Sequence, residues 1–231
     1  MKLPKLREEV LEANLELVRR GLVLYTFGNA SGIAREQGLV VIKPSGVPYD
    51  TMRPEDLVLV DMQGNIVEGS LRPSSDLPTH LILYNAFPSV GGVAHTHSRA
   101  ATSWAQAGRE IPCFGTTHAD YFHGCVPVTK PLTAAQIRSD YETNTGRAIV
   151  RCLQKQDPLH VPGVLVTGHA PFCWGETPAT AAHNAVVLEE IAALALQTLV
   201  ANPKARSIPR PLQEKHFFRK HGSKAYYGQK K

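Results

Sequence analysis

The chain has 231 residues, of which 43% are hydrophobic and 19% charged, and its formal net charge is +5 at pH 7. This length and composition predict a single globular domain, residues 1–231, with a sizeable core. The first ten residues carry charges throughout, and no apolar run approaches the ~20 residues of a membrane span. We therefore expect a cytoplasmic protein with no membrane partner.

The cysteines and the basic clusters exclude further classes of protein. The four cysteines lie far apart and form no Cys-x-x-Cys pair, which argues against a zinc ribbon or a redox motif. Positive charge is concentrated at residues 204–210 and in the C-terminal tail, where we find no known nucleic-acid-binding motif. We interpret both clusters as solvated surface that favours small anions, and we expect no nucleic-acid partner.

The N-terminal third of the chain predicts one helix followed by short strands. Apolar residues at helical spacing predict a helix from Leu3 to Arg20, which Gly21 ends. Strands are expected at residues 31–34, 39–43, 57–61 and 66–68, the last two joined by a hairpin at 63–65. A helix then covers Asp76 to Ala86, with Ser75 as a candidate cap.

The remaining chain alternates two apolar strands with longer helices. One strand ends at His95 and precedes a helix over 98–107; the other ends at His169 and continues past Pro171 into 172–174. A capping box at 133–136 predicts one helix towards residue 153, and further helices cover 177–200 and 211–220. This mixture predicts a three-layer α/β/α domain around a mixed, largely antiparallel sheet.

The most informative feature is the sequence His95-Thr96-His97 at the end of a strand. Residues i and i+2 of a strand point to the same face, so the two imidazoles begin only ~7 Å apart. Both can therefore reach one metal ion. His169 and Asp76 are the candidate third and fourth ligands, and His80, one helical turn beyond Asp76, is the main rival to His169.

Three polar turns offer a binding place for an anion. They are Gly28-Asn29, Lys43-Pro44-Ser45-Gly46 and Pro73-Ser74-Ser75. The lysine offers a point charge, the serines offer hydroxyl donors, and the glycines allow close approach of backbone N–H groups. Because Ser74-Ser75 directly precedes Asp76, an anion bound there would lie near the metal.

Seven segments of the chain resemble the class II aldolase/adducin family, in its L-ribulose-5-phosphate 4-epimerase branch. They are residues 26–31, 41–47, 72–76, 95–99, 115–121, 162–166 and 220–229. The block Thr-Thr-His-Ala-Asp-Tyr at 116–121 and the tail Tyr-Tyr-Gly-Gln at 226–229 resemble the epimerase branch specifically. The other motifs belong to the wider family.

The resemblance implies a role for each matching residue. It assigns Asp76, His95, His97 and His169 to one Zn²⁺ ion per subunit, with Mn²⁺ or Co²⁺ as alternatives. It makes Asp120 and Tyr227 the acid/base pair. It implies binding of a pentulose phosphate by Gly28, Asn29, Lys43, Ser45, Gly46, Ser74, Ser75, Thr116, His118, Glu142 and His216. His123 and His221, near the acid/base pair, are weaker candidates, and His160 and His183 are expected to be ordinary histidines.

The same resemblance implies a reaction and an assembly. The reaction is the epimerisation of L-ribulose 5-phosphate to D-xylulose 5-phosphate by cleavage and re-formation of the C3–C4 bond. The assembly is a cyclic homotetramer, in which the tail of about residues 210–231 reaches a neighbour's active site. Two alternatives stay open: a sugar-phosphate aldolase, for example on a deoxysugar 1-phosphate, and a non-catalytic adducin-like scaffold.

Overall fold

A seven-stranded antiparallel sheet forms the centre of the protein in a computed structural model, which describes residues 1–222 and 225–228. The strands are β1 (Asn29–Ala34), β2 (Leu39–Ile42), β3 (Val58–Asp61), β4 (Ile66–Glu68), β5 (Gly92–His95), β6 (Gly163–Leu165) and β7 (Pro171–Gly175). Their order in the sheet is β4-β3-β2-β1-β5-β7-β6. All six neighbouring pairs of strands are antiparallel, whereas the sequence predicted a mixed, largely antiparallel sheet. Among the described residues, the one parallel pairing is an isolated bridge between Val128 and Leu165.

Helices cover both faces of this sheet and give the predicted three layers. They are α1 (Pro4–Arg19), α2 (Leu77–Ala86), α3 (Arg99–Gln106), α4 (Thr116–Ala119), α5 (Ala134–Ser139), α6 (Tyr141–Cys152), α7 (Pro178–Ala201) and α8 (Arg210–Lys220). Alternation along β1 separates the layers: a side chain added at Gly32 would meet α1 and α7, whereas Ser31 hydrogen-bonds His80 and Tyr84 of α2. Helix α6 packs on α2.

The packing of helix α7 accounts for its apolar composition. Among the described residues it is the one helix long and apolar enough to cross a membrane, contrary to the expectation from the apolar runs. One of its faces is buried, with Ala181, Leu188 and Ala192 fully enclosed. Because this face packs on α1, α3, β5 and β7, the apolar composition matches a core helix.

Three local predictions differ from the structure. The helix expected from residue 133 to 153 is broken at Asp140, whose φ of −141° and ψ of 80° separate α5 from α6. The strand expected to end at His169 ends at Leu165, and residues 166–170 form a tight turn between β6 and β7. Helix α2 has Asp76 at its N-cap, and Ser74 rather than Ser75 accepts a hydrogen bond there, from the Asp76 backbone N–H.

Candidate metal and substrate site

Three imidazoles meet at one end of the central strands. His95 is the last residue of β5, His97 follows it, and His169 lies in the adjacent turn between β6 and β7. One nitrogen from each ring lies within 4.8 Å of the other two, and the ring centroids are 4.9 to 5.0 Å apart. Because β5 pairs with β7, the turn before β7 delivers His169 to the end of β5.

The hydrogen bonds of these rings leave nitrogen lone pairs for a metal ion. Nδ1 of His95 donates to the carbonyl oxygen of Pro171 at 2.9 Å, which fixes the tautomer and leaves Nε2 with a lone pair. Nδ1 of His169 lies 3.2 Å from the hydroxyl of Tyr141. Metal-binding histidines commonly hold their second nitrogen in this way.

Burial and neighbouring rings favour the neutral forms of His97 and His169, which are the forms that bind a metal ion. Burial lowers the pKa of His169 to about 4, and the nearby His95 and His97 act in the same direction. Burial and then His95 also lower the pKa of His97. Neutral imidazoles at neutral pH are ligands for Zn²⁺ and similar ions, so this cluster fits a divalent cation.

Asp76 lies beside this cluster but is held by another residue. Its Oδ2 is 4.0 Å from Nε2 of His95 and accepts a 2.7 Å hydrogen bond from Nδ2 of Asn29. Burial alone would raise the pKa of Asp76, but His95, His80 and the Asn29 hydrogen bond outweigh it and lower the pKa. The carboxylate is therefore ionised and adjacent, and its role as fourth ligand stays a prediction.

His80, the rival to His169, lies beneath the site rather than in it. It is fully buried, and its Nδ1 is 2.7 Å from the hydroxyl of Ser31. Burial lowers its pKa to about 3, so the ring is neutral. The group of histidines that converges within metal-binding distance contains His169 and does not contain His80.

The three polar turns line one cavity of about 610 Å³ together with the metal cluster. An antiparallel bridge between Pro44 and Pro73 holds two of these turns side by side. The predicted residues that line the cavity are Gly28, Asn29, Lys43, Ser45, Gly46, Ser74, Ser75, Asp76, His95, His97, Glu142 and His169. Pro44, which lies in one of the predicted turns, also lines it, and so do Thr26, Phe27 and Tyr141, which sequence reasoning missed as site residues although Tyr141 is adjacent to the predicted Glu142.

Lys43 and Asn29 supply two buried polar groups to the cavity. The ammonium of Lys43 donates to the carbonyl oxygens of Pro44 and Val47 and lies 4.6 Å from the ring centroid of Tyr49. Burial lowers its pKa to about 8, so it stays mostly charged at neutral pH, and it stabilises its own turn. Oδ1 of Asn29 is buried without a hydrogen-bond partner among the described residues, which leaves an acceptor for a bound molecule.

Gly28 is required by two local constraints. Its φ is +85°, and a Cβ atom there would lie 2.8 Å from the carbonyl oxygen of His95. We expect Gly28→Ala to lower the free energy of unfolding by roughly 2–4 kcal/mol, because strain and a backbone clash add. Gly21→Ala is the matched control, since Gly21 has a φ of +69° and nothing within 4 Å. Urea unfolding of both variants measures the difference, and equal losses would contradict the clash.

A second cluster of charges joins α4, α8 and the tail. The carboxylate of Asp120 accepts two hydrogen bonds from Arg219, at 3.0 and 2.7 Å, and one from Nδ1 of His216 at 3.0 Å. Nζ of Lys220 lies 3.5 Å from the same carboxylate. Burial raises the pKa of Asp120, but Arg219 and His216 outweigh it, so the pKa is lowered and the group is ionised.

The tail tyrosine belongs to this second cluster. The ring centroid of Tyr227 lies 4.8 Å from the guanidinium carbon of Arg219 and 4.5 Å from Nζ of Lys220. Asp120 and Tyr227 thus contact the same two cations, and their role as an acid/base pair stays a prediction. Five predicted site residues do not line the cavity of their own subunit: Thr116, His118, Asp120, His216 and Tyr227. Gln229, the end of the tail motif, lies outside the described residues.

The fold and the cavity agree with a comparison against known families. A family model described as "Class II Aldolase and Adducin N-terminal domain" matches residues 8–196. The chain belongs to the class II aldolase and adducin family. The predicted family resemblance is therefore confirmed, and the epimerase branch remains to be tested.

Several solved structures share the fold of this chain. An L-fuculose 1-phosphate aldolase superposes with a TM-score of 0.78 at 24% identity, covering 92% of this chain and 94% of its own. The L-fuculose 1-phosphate aldolase of Glaciozyma antarctica PI12 gives 0.77 at 18%, covering 96% and 84%. YgbL of Escherichia coli, a putative aldolase/epimerase/decarboxylase, gives 0.71 at 23%, covering 92% and 97%. Identities this low show a shared fold.

Three predicted histidines of this class II aldolase and adducin chain have partners outside the metal cluster. His118 is buried, and its Nε2 donates to the carbonyl oxygen of Gly124 at 2.8 Å. His221 lies with its Nε2 3.0 Å from the backbone oxygen of Asp120. His123 packs against Phe217, the buried residue of α8. The contacts of His123 and His221 attach α8 to the domain, whereas that of His118 holds the loop after α4.

His118 predicts a pH dependence of stability. Burial lowers its pKa to about 4, whereas histidine in an unfolded chain titrates near ~6.5. Between these values the unfolded state binds more protons, so stability falls as pH falls, by up to about 1.4 kcal/mol per pH unit for this group. We expect His118→Gln to reduce the loss of stability between pH 6.5 and 5, measured by urea unfolding of metal-free protein. An unchanged pH dependence would contradict this assignment.

Proposed function

We propose that this protein is a metal-dependent L-ribulose-5-phosphate 4-epimerase that converts L-ribulose 5-phosphate to D-xylulose 5-phosphate. The observation that carries the proposal is the association of Asp120 with Tyr227 through Arg219 and Lys220. Inversion at C4 through bond cleavage needs two proton-transfer groups, one for each face of C4. The epimerase-like motifs of the sequence contain these two residues, and the fold of the family supplies the cavity.

The proposed metal site consists of His95, His97 and His169, with Asp76 as a fourth ligand. We propose Zn²⁺, one ion per subunit, since three imidazoles and a carboxylate suit this ion, and Mn²⁺ or Co²⁺ are the alternatives. A divalent ion bound there supplies Lewis acidity for the negative charge that develops beside C3 when the C3–C4 bond breaks. The ionised Asp76 and the neutral His169 are ready to bind it without losing protons.

The polar turns are proposed to hold the phosphate end of the substrate. Ser45, Ser75 and the backbone of Gly46 offer donors, and the positive end of α2 begins directly after them. Lys43 contributes positive charge while its hydrogen bonds stabilise the turn. Holding the phosphate keeps the two-carbon fragment bound after cleavage, so that it can rotate and recombine rather than leave.

Asp120 and Tyr227 are the proposed acid/base pair. One of them takes the proton of the C4 hydroxyl as the C3–C4 bond breaks and the aldehyde forms. After rotation of the aldehyde, the bond re-forms on its other face, and the other group returns a proton to the same oxygen. The overall reaction therefore consumes no proton. His216 orients Asp120, and Arg219 and Lys220 favour the deprotonated form of this carboxyl group.

This arrangement requires more than one subunit, since neither proton-transfer residue lines the cavity of its own chain. We propose a cyclic homotetramer in the cytoplasm, in which the tail of one subunit completes the cavity of the next. Tyr227 is 59% exposed in the single chain, and Phe218 and Tyr226 beside it are 46% and 64% exposed. Exposed aromatic residues of this kind are typical of an interface.

The proposal is tested by incubating the purified protein with L-ribulose 5-phosphate, before and after removal of metal with a chelator. We expect D-xylulose 5-phosphate to form, to stop forming after chelation, and to return when Zn²⁺ is added. Accumulation of dihydroxyacetone with glycolaldehyde phosphate would contradict epimerisation and indicate an aldolase. Turnover that survives complete removal of metal would contradict the metal site.

A sugar-phosphate aldolase is the second candidate. The superposition on an L-fuculose 1-phosphate aldolase over 92% of the chain favours it. The contacts of Asp120 are also those of a residue that holds α8 in place, because its carboxylate contacts Arg219, His216 and Lys220 of that helix. In that case Asp120→Asn would lower the free energy of unfolding but have little effect on turnover. The epimerase proposal expects a large loss of turnover with little change in the free energy of unfolding.

A further inference from the structure

Tyr141 occupies a fixed position at the edge of the metal cluster. It is the first residue of α6, directly after the break at Asp140 that separates this helix from α5. Thr79 of α2 donates a 2.7 Å hydrogen bond to the backbone oxygen of Glu142, the next residue. Further along α6, a Cβ atom at Gly146 would lie 2.8 Å from Ile82, so α6 and α2 are in close contact. The break and this packing set the position of Tyr141.

The hydroxyl of Tyr141 faces both His169 and the cavity. It lies 3.2 Å from Nδ1 of His169, and the residue is half-buried and lines the 610 Å³ cavity. A hydroxyl can donate or accept, in contrast to the Pro171 carbonyl on Nδ1 of His95, which can only accept. The ring nitrogen of His169 that carries the proton therefore decides which way the Tyr141 proton points.

Binding of a cation at Nε2 of His169 selects one of these two arrangements. The bound nitrogen must have its lone pair free, so the ring proton must be on Nδ1. Nδ1–H then donates to the Tyr141 oxygen, and the phenolic proton has to turn away from the ring. Because the hydroxyl lines the cavity, that proton becomes available to a ligand oxygen beside the cluster.

We propose that Tyr141 is a positioning residue of this site, which accepts a hydrogen bond from His169 in the metal-loaded protein and thereby presents its own O–H to the substrate. This inference rests on the metal dependence in the proposed function but not on epimerisation. The Tyr141 hydroxyl is then a hydrogen-bond donor next to the place where negative charge develops during C3–C4 cleavage. A hydrogen bond to a charged oxygen is stronger than one between neutral groups.

The experiment compares wild type with Tyr141→Phe, and uses Tyr25→Phe as the matched control because Tyr25 is an exposed tyrosine that does not line the cavity. Affinity for Zn²⁺ is measured by chelator competition, and the Co²⁺-loaded proteins are compared by visible absorption. We expect Tyr141→Phe to bind Zn²⁺ at least about 10-fold more weakly, with a changed Co²⁺ spectrum. Tyr25→Phe should match wild type in both measurements.

The presented donor is tested with acetohydroxamate, a metal-chelating anion, titrated into the Co²⁺-loaded proteins. Loss of one hydrogen bond to a charged oxygen predicts about 10-fold weaker binding to Tyr141→Phe. Equal Zn²⁺ affinity and an unchanged Co²⁺ spectrum would overturn the positioning role, and equal acetohydroxamate affinity would overturn the presented donor. A wild-type protein that binds no ion would instead overturn the metal dependence on which both proposals rest.

Discussion

Replacement of His97 by asparagine is expected to abolish metal uptake and to lower turnover by at least about 10³-fold. His97 is exposed and follows β5, so its loss leaves the strand pairing intact. It is nevertheless one of the three nitrogens within 4.8 Å of each other, and two imidazoles hold a divalent ion far less tightly than three. The metal content of the purified variant and its turnover of L-ribulose 5-phosphate are the two measurements.

His183→Asn is the matched control for this variant. His183 lies on α7, outside the cavity, where its ring packs 5.5 Å from that of Tyr121. We expect this variant to keep wild-type metal content and turnover. A His97→Asn protein that contains no metal yet turns over normally would refute the proposed role of the ion. One that still binds a full equivalent of metal would refute His97 as a ligand.

The metal cluster was predictable from sequence because its geometry is local. The i, i+2 spacing predicts that His95 and His97 converge, and they do so at the end of β5, although the strand itself ends at His95. His169 is different, because the residues alone left it in competition with His80. The antiparallel pairing of β5 with β7 decides between them, since it brings the turn before β7 to the end of β5. Such long-range pairing has no local signal.

The prediction of a single helix from 133 to 153 shows the opposite case. The capping box at Thr133 is present as expected, because it depends on residues three apart. The break at Asp140 depends instead on packing of α6 against α2, which no residue of that segment indicates. This break places Tyr141 at the cavity. Sequence reasoning missed both the break and Tyr141 because both depend on the packing of α6 against α2.

The charge network around Asp120 was also beyond sequence reasoning. Its partner Arg219 is 99 residues away in the chain, and a sequence shows only that acidic and basic residues exist. The contacts of Asp120 in the structure limit its strength as a base in the proposed mechanism. A carboxylate that accepts hydrogen bonds from Arg219 and His216 and lies 3.5 Å from Lys220 is a weak base, so its action in proton transfer depends on how Tyr227 and the substrate compete for these partners.

Two inactive variants are expected to restore each other's activity when their subunits are mixed. Tyr227→Phe should lower turnover by ~10²–10⁴-fold while metal content stays normal, and His97→Asn should lose metal. If the tail of one subunit completes the cavity of the next, a mixed ring contains some sites with an intact metal cluster and an intact neighbouring tail. Random exchange of equal amounts predicts about one such site in four. Activity of the mixture, measured after co-expression, should approach that fraction of wild type.

The same mixture separates a shared site from one built within a single chain. In a shared site the His97→Asn subunit supplies Tyr227 and the Tyr227→Phe subunit supplies the metal cluster, so neither defect affects the restored site. In a single-chain site every cavity contains one defect, and mixing restores nothing. The His97→Asn/Tyr227→Phe double variant, co-expressed with His97→Asn, is the control, because no subunit in that mixture has an intact metal cluster. Recovery there, or none in the test mixture despite normal assembly, would refute the shared site.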